Sequence, residues 1–590
     1  MTGEELALLG RTAAHLRPAQ VAHRARLRAQ RAALQRWPAT GRLLVTSRPP
    51  ARIRSAAVPT ARSGATAERA RTGWPADYAP LDATALSVTV PRHWPSLGEL
   101  RADQIRLLGM TQPFVDWQQA DAPQLWRFHL HYWDWAWGLA AEPDRVAARQ
   151  EFARLWRSWR LACTFGRGDA WLPYPAALRA WSWCGQYASL VAGTDLDAEF
   201  RRELAAHARF LRLHLESDVG GNHLIKDLKA LIGLGVFLGD EPLLRRALRL
   251  LIAQLAVQVL PDGGHFERAP AYHCQVLADL IDVAALLTAA GRVTAPALTV
   301  AIARMRRWLG AVLAPDGAVP LLNDGFPVPG ALVAALRAQP PPGLPLLRLT
   351  ESGLIRAEAG DWHLLADVGA PCPDELPAHA HADTLGCVVN VGGTPLLIDT
   401  GTSTYEAGPD RRRERSTAAH NTAEVDGRNS TEVWGAFRAG RRARVVAVSA
   451  RTTAVGVTVE AAHDGYRHLA GRPCHRRRWT LTDGGLQVDD WVTGAGRHEV
   501  AVRWHLPPAT DIRLADSGAS VSTSAGKFAV TVAGTAPLEM EIESAPIAFG
   551  FLRTAAAPVL TCRVRTGLPL RLTTSWRRTA DDQPGRREAL

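Results

Sequence analysis

The stretch Gln339-Pro-Pro-Pro-Gly-Leu-Pro345 divides this chain into two parts that cannot share one kind of secondary structure. Consecutive prolines remove amide donors and bias the residues before them away from the helical region, so no helix crosses this point. On the N-terminal side apolar residues recur at three- and four-residue steps, as in Leu125, Phe128, Tyr132, Trp135 and Leu139, and again through 146–161, 200–215, 224–238, 243–260, 274–290 and 298–313. On the C-terminal side the period falls to two in β-branched runs broken by glycine. These are 387–399 with Gly392-Gly393 as a turn, 478–492 with Asp483-Gly484-Gly485, then 498–506 and 527–534. The expectation is a multidomain α and β chain. It has an all-helical domain over 97–338, a Pro-rich linker over 339–347 and an antiparallel β domain, most simply a sandwich, over 348–590. Helix pairs at uneven spacing suit a toroid of helical hairpins. Residues 1–96 read as an Arg-rich amphipathic helix over 4 to about 36, docked on the main body, and a connector rich in Pro, Ser, Thr and Arg.

Composition sets the class. With 590 residues, 47% of them hydrophobic, and 20 Trp, the chain can bury a large apolar core, which excludes disordered and fibrous proteins. Lys+Arg 69 against Asp+Glu 57 leaves a net charge of +12, nearly all of it from Arg, since Lys226, Lys229 and Lys527 are the lysines. Arg dominance reflects either a GC-rich coding sequence or a polyanion partner, whose carboxylate, sulfate or phosphate oxygens guanidinium forks grip in pairs. No nucleic-acid motif accompanies the charge, so nucleic acid is not an expected partner. The Cys residues stand singly, without a C-x-x-C pair, which argues against a disulfide scaffold or a Cys-rich zinc module. Neither a signal peptide nor a run of 18 or more apolar residues is visible. A cytoplasmic location without a transmembrane segment is the default, and the oligomeric state is left open.

Polar clusters fall where the regular patterns break. Gly220-Gly221-Asn222-His223 precedes a helical run, with Asn222 a good N-cap; a hydrogen-bonded histidine at a helix start is the plain reading of His223. Further on, Asp262-Gly263-Gly264-His265-Phe266-Glu267-Arg268 leads to Pro270-Ala271-Tyr272-His273, where Pro270 is a natural first-turn residue. Two helix N-termini, each with an imidazole or a phenol beside it, suit a carboxylate-bearing substrate. In the β half, His379 and His381 are two residues apart, which on an extended strand places them on one face with roughly 6.6 Å of rise. Asp399 ends a strand run and His420 follows. Two imidazoles and a carboxylate with a water complete a tetrahedral zinc site, and the remaining imidazole either joins them or faces a substrate. Tyr405 and Arg415 lie in the same polar stretch.

Several of these segments, in this order, resemble the heparinase II/III-like polysaccharide lyases: GGNHLIKDLKAL (220–231), DGGHFERAPAYHCQVLADLIDV (262–283), LLNDGFP (321–327), AHAHADTLGCVVNVGGTPLLIDTGTSTYE (378–406) and RSTAAHNTAEVDGRNSTEVWGAFRAGRRA (415–443). WRFHLHYWDWAW (126–137) and WLPYPAALRAWSW (171–183) fit the same family's helical domain. The resemblance covers roughly residues 100–500. It implies an incomplete α/α toroid followed by an antiparallel β-sandwich, and β-elimination on an acidic, uronate-containing polysaccharide. By resemblance Asn222 and His223 neutralise the uronate carboxylate with Arg179 as helper, and Tyr272 is the proton donor and base, with His379 its partner base. Glu267, His273 and Tyr405 join Arg179 as substrate contacts. His381, Asp399 and His420 match a divalent-metal triad, zinc by its ligands, that supports structure rather than chemistry. The resemblance also implies a periplasmic, envelope or secreted location, against the absent signal peptide. Two rival functions stand beside the lyase: a non-catalytic glycan-binding or exopolysaccharide-biosynthesis protein, and a metal-dependent glycan hydrolase, in which the metal would activate the attacking water. Lys226 and Lys229, on a helix after His223, read as a solvated face or as contacts to a polyanion.

Overall fold

The computed structural model describes residues 3–46, 73–81, 83–84, 94–338, 343–516 and 518–579. Most of the expected connector and the core of the Pro-rich linker therefore lie outside the described residues. Helices dominate up to residue 338 and antiparallel sheets beyond residue 345, on the two sides of the proline run. The apolar runs become the helices Arg145–Ala162, Asp197–Leu213, Gly221–Leu238, Glu241–Gln258, Pro270–Ala289 and Pro296–Val312.

Three local expectations change. The N-terminal helix is two helices, Gly3–Ala13 and Pro18–Arg36, because Pro18 lacks the amide that a continuous helix requires and instead starts the second one. The helical region also contains a small hairpin, Gln104–Leu107 with Met110–Pro113. Asn222 is not the cap of its helix: Gly220 is, at φ 73°, so Asn222 sits inside the first turn. Pro270 opens its helix as expected. That helix, Pro270–Ala289, is long and apolar enough to cross a membrane by composition, but 78% of the apolar window is buried inside the protein and it carries Asp279 and Asp282.

Two compact units divide the chain: residues 1–16, 258–275 and 303–590 form one, and 17–257 with 276–302 form the other. Segments 258–275 and 303–338, on the helical side of the proline run, thus belong with the strands. Among the described residues the first unit contains three larger antiparallel sheets, besides the two-stranded pair of Val433–Trp434 with Arg438–Ala439. Five strands run in the order Leu346–Leu349, Leu354–Ala359, Trp362–Asp367, Cys387–Val391 and Thr394–Leu397, each paired with its neighbour in sequence. Four run Glu539–Gly550, Arg553–Gly567, Arg497–His505 and Ala423–Val425. Eight run Val445–Thr453, Gly456–His463, Cys474–Thr482, Gly485–Thr493, Leu570–Arg578, Gly526–Gly534, Gly518–Thr523 and Asp511–Ala515. Inward residues from all three sheets, among them Trp362, Trp479, Trp504 and Trp576, form one apolar core. Strand alternation makes this work: Cys474–Thr482 buries every second residue and leaves the others partly or fully exposed. The N-terminal helix docks on this unit through Arg11, whose guanidinium donates to Glu432 at 2.6 and 2.8 Å, and through Thr12, which accepts from the Trp434 indole at 3.0 Å.

Candidate active site

Within the first unit, four loops deliver polar side chains to one place. Residues 262–268 carry Glu267 and lead into the helix bearing Tyr272. Their turn needs Gly263, at φ 97°, where a Cβ would stand 2.4 Å from the Arg304 carbonyl oxygen. Loop 321–327 carries Asp324 next to Asn323, whose φ is 55°. Asn323 ties two of the loops together, donating from Nδ2 to the Arg268 carbonyl at 3.0 Å and accepting from the His381 amide at 2.9 Å. The loop before Cys387–Val391 carries His379 and His381, and the segment after Thr394–Leu397 carries Tyr405 and the short helix Pro409–Glu414 with Arg411.

Asp324 is the hub. It is fully buried and accepts from His379 Nδ1 at 2.8 Å, His381 Nε2 at 2.9 Å, Thr402 Oγ1 at 3.2 Å and both terminal nitrogens of Arg411, one of them at 2.8 Å. Burial alone would raise its pKa, but Arg411 and the two imidazoles outweigh burial and hold the carboxyl well below its usual range. The other nitrogen of His379, Nε2, lies 3.0 Å from Glu267 Oε2. Burial pushes this imidazole down, yet the carboxylates on either side raise it to about 9, so it is a cation at neutral pH. Its ring lies against that of Tyr272, with centroids 3.8 Å apart. The Tyr272 hydroxyl is 2.8 Å from the Tyr405 hydroxyl, and the Arg411 guanidinium sits 5.1 Å from the Tyr405 ring centroid. Phe326 and Phe551 line the same pair: Phe326 meets Tyr272 edge-on at 5.9 Å and Phe551 lies 5.5 Å from Tyr405.

Tyr272, His379, Glu267 and Tyr405 are therefore brought together, but His379 is not a free base. Both of its nitrogens are engaged by carboxylates and it already carries the proton a base would need to accept. The arrangement supplies a phenol pair able to pass a proton and a fixed positive charge at the face of one ring.

The His-x-His pair does not lie on a strand; it occupies a loop, and its two imidazoles converge on Asp324 instead. Burial lowers His381 to about 3, so it is neutral and donates from Nε2. His420 donates from Nδ1 to Asp399 at 2.8 Å, and Asp399 raises its pKa against the effect of burial. In this structure each residue of the expected zinc triad is joined to another side chain through at least one atom. Asp399 is spent on His420 and the Gly401 amide, His381 is spent on Asp324, and no group of three His, Cys, Asp or Glu among the described residues is arranged to hold an ion. Among the unpartnered buried atoms in these loops are Nδ1 of His381 and Nε2 of His420, two residues of the expected triad, together with the carboxylate oxygens of Asp383. Behind these loops Arg477 donates to the Leu385 carbonyl at 3.0 Å and the Asn421 carbonyl at 2.5 Å. Asp490 holds it at 2.7 and 3.0 Å and also accepts from His475 at 2.6 Å.

The remaining expected residues are placed elsewhere. His273 is buried, donates from Nε2 to the Met305 carbonyl at 3.0 Å and accepts at Nδ1 from the His265 amide, and burial lowers it to about 3; it stabilises the loop rather than offering a substrate contact. Arg415 is likewise buried and donates to the Ala380 carbonyl at 3.0 Å. The second unit holds Asn222, His223 and Arg179. Asn222 is buried in the first turn of its helix. His223 is half-buried, lies 3.2 Å from Glu216 through Nδ1 and packs on Tyr174 with ring centroids 4.3 Å apart. Arg179 is a correction: it is fully buried, 4.4 Å from the Trp159 ring with Trp171 and Trp183 also around it, and bonded to His207 Nε2 and the His131 carbonyl. Burial lowers it to about 9, and the side chain has no exposed surface to offer a substrate. Lys226 and Lys229 are not a solvated face: Lys229 is buried and Lys226 largely so. Both donate to Asp279, at 2.8 and 2.9 Å, and Lys229 also to Asp282 at 2.6 Å.

Asp324 and Arg411 carry the site and were assigned no role from sequence. Asp324 lies in the LLNDGFP segment, whose likeness to the family was a usable signal. Arg411 stands among neighbouring arginines, Arg412 and Arg413, and nothing in the sequence marks it out.

Two family models match this chain. The one described as Heparinase II/III N-terminus covers residues 110–338, and the one described as Heparinase II/III-like, C-terminal, covers 341–587. FtsZ-localized protein C of Caulobacter vibrioides is 28% identical over 419 residues, 66% of this chain and 71% of that protein. Among solved structures, heparinase III superposes with a TM-score of 0.68 at 16% identity over 81% of each chain. A mutant of heparan sulfate lyase HepC from Pedobacter heparinus superposes with a TM-score of 0.60 at 15% identity, over 93% of this chain and 89% of that one. At these identities the likeness establishes the fold, an α/α toroid followed by an antiparallel β-sandwich.

Proposed function

Because this chain belongs to the heparinase II/III-like family, we propose that it is a polysaccharide lyase that cleaves an acidic, uronate-containing glycan by β-elimination. The observation that carries the reading is the Tyr272–Tyr405 phenol pair set against the His379 cation. In this reaction a base removes the proton from C5 of the uronate, the C4–C5 double bond forms, the C4–O bond breaks, and an acid returns a proton to the leaving oxygen. The C5 proton is weakly acidic, so the barrier falls only where charge developing in the transition state meets groups already in place. Tyr272 is proposed to take the C5 proton as phenolate and to return it to the leaving oxygen as phenol. Tyr405 shares the proton at 2.8 Å, and His379 supplies fixed positive charge. Asp324 and Glu267 act through His379 and are positioning residues. No step is assigned to a metal.

The test is incubation with heparan sulfate, chondroitin sulfate, hyaluronan, alginate and bacterial exopolysaccharides, read by the ultraviolet absorbance of new unsaturated uronate ends. Tyr272→Phe should lower the rate by about 10²–10⁴-fold with an unchanged melting temperature. Full activity in that variant would remove Tyr272 from the mechanism.

A second reading, a non-catalytic role, rests on the 28% identity to FtsZ-localized protein C, whose name states a location and no reaction. It expects saturable glycan binding with no unsaturated product from any polymer, and a cellular role that survives Tyr272→Phe.

A further inference from the structure

The eight-stranded sheet turns one face to the apolar core and the other to solvent. On the outer face Arg476, Trp491 and Arg571 are direct cross-strand neighbours on three adjacent strands. Their guanidinium carbons lie 5.6 and 5.4 Å from the indole centroid, and Arg478, one position along the same face, lies 5.1 Å from it. The arginine side chains remain 38–52% exposed, so the cations around the indole are open to a ligand. Four residues along the strands from Trp491, a second row crosses the same face in register: Thr458, Thr480, Gln487, Ser575 and Thr531, all side chains with hydroxyl or amide groups. Over the six strands from Val445–Thr453 to Gly526–Gly534, this face carries Arg451, Arg476, Arg478, Lys527, Arg571 and Arg577 against Glu460 and Asp489.

We propose that this outer face is a second binding surface for an acidic polysaccharide chain, separate from the residues around Tyr272. The chemistry selects the partner in two ways. The surplus of cations, with guanidiniums on both sides of an indole, answers carboxylate or sulfate groups repeating along a polymer. The indole and the hydroxyl-bearing row answer what a sugar ring offers besides charge, apolar C–H faces and ring hydroxyls. Strand spacing of about 4.8 Å and a two-residue repeat of roughly 6.6 Å set such groups on a flat grid, which suits an extended chain rather than a buried oligosaccharide. Glu460 and Asp489 fix the arginines: Glu460 accepts from Arg476 and from Arg478, the latter at 2.5 Å, and Asp489 accepts from Arg571 at 2.9 Å. The guanidiniums are therefore held in place before a ligand arrives.

The ligand class is that of the lyase reading, but the test reads binding alone. The full chain carrying Tyr272→Phe, so that no polymer is cut, is passed over immobilised heparan sulfate at rising salt. Wild-type face and the triple substitution Arg476→Gln, Trp491→Ala, Arg571→Gln are compared, with melting temperature as the fold control. The expected result is at least a tenfold loss of affinity and elution at lower salt for the triple variant. Arg451→Gln with Arg577→Gln, remote from the indole, is a second variant that leaves the ladder intact and should lose affinity by a smaller factor. Unchanged affinity in both variants overturns the proposal, as does equal competition by single-stranded DNA of matched charge, which would make the face a general polyanion surface. With an intact Tyr272, the triple variant should cut short oligosaccharides at the wild-type rate. Absence of cleavage in wild type and variant alike would count against the lyase and leave the binding result standing.

Discussion

The imidazole of His379 lies 3.8 Å from the ring of Tyr272, centroid to centroid, with 31° between the planes. A side chain that is itself held charged by Glu267 and Asp324 thus covers the phenol proposed to move protons. His379→Gln keeps a polar side chain of similar reach and removes the charge. It should lower kcat by about 10²-fold with little change in KM, because the charge assists a phenolate formed on the way to the transition state. Steady-state rates on a cleaved polymer decide this, and a wild-type kcat in the variant would refute the assignment.

Tyr405→Phe removes a single hydrogen bond, to Tyr272 at 2.8 Å. A net contribution of about 1 kcal/mol corresponds to roughly a fivefold loss in rate. In the Tyr272→Phe background the same substitution should have no further effect, since its partner is gone; additive losses would show that Tyr405 acts independently.

Arg179 should behave as a structural residue. Its guanidinium is enclosed by indoles and bonded to His207 and the His131 carbonyl, so Arg179→Ala leaves aromatic faces and polar atoms unpartnered in the interior. A stability loss of about 3–5 kcal/mol in denaturant unfolding is expected, with KM unchanged in whatever fraction remains folded. A raised KM at wild-type stability would restore it as a substrate contact.

Asp490 predicts an acid-sensitive contribution to stability. Burial raises its pKa, but Arg477 and His475 outweigh burial and bring it down to about 2. A carboxyl depressed in the folded state stabilises above its unfolded value, about 3.9, and loses that contribution as pH falls through the folded value. The wild type should therefore exceed Asp490→Asn in stability by roughly 2–3 kcal/mol from pH 7 to pH 5, and the gap should close between about pH 4 and pH 2. Urea unfolding of both proteins across that range measures it; a gap that persists at pH 2 contradicts the assignment.

Because the bonds of Asp399 to His420 and of His381 to Asp324 join side chains directly, dialysis against a chelator should leave the melting temperature unchanged. Elemental analysis of the purified protein gives the companion reading. A stoichiometric metal whose removal lowers the melting temperature would place an ion among His381, His420 and Asp383.

The helices and most strands were legible because each depends on the spacing of apolar residues within a short window. The run 498–506 lies within one residue of Arg497–His505, and Gly392-Gly393 is the tight turn expected, at φ 57° and 81°. Pro270 marked the helix start that sets Tyr272. The His-x-His spacing misled, because two residues apart means one face only on a strand, and here the backbone turns. Arg179 and the pair Lys226 and Lys229 misled for another reason: charge in a sequence reads as contact with solvent or ligand until a buried partner is seen.

The sequence alone determined the order of the two architectures, the break between them at the prolines and the family to which the chain belongs, since these are properties of local periodicity and of ordered motifs. Only the tertiary structure decided that Asp324 is the centre of the site. Its partners His379, His381, Thr402 and Arg411 lie 55 to 87 residues away along the chain. A carboxylate's charge state and role are set by which donors surround it in space, and no spacing in the chain records that.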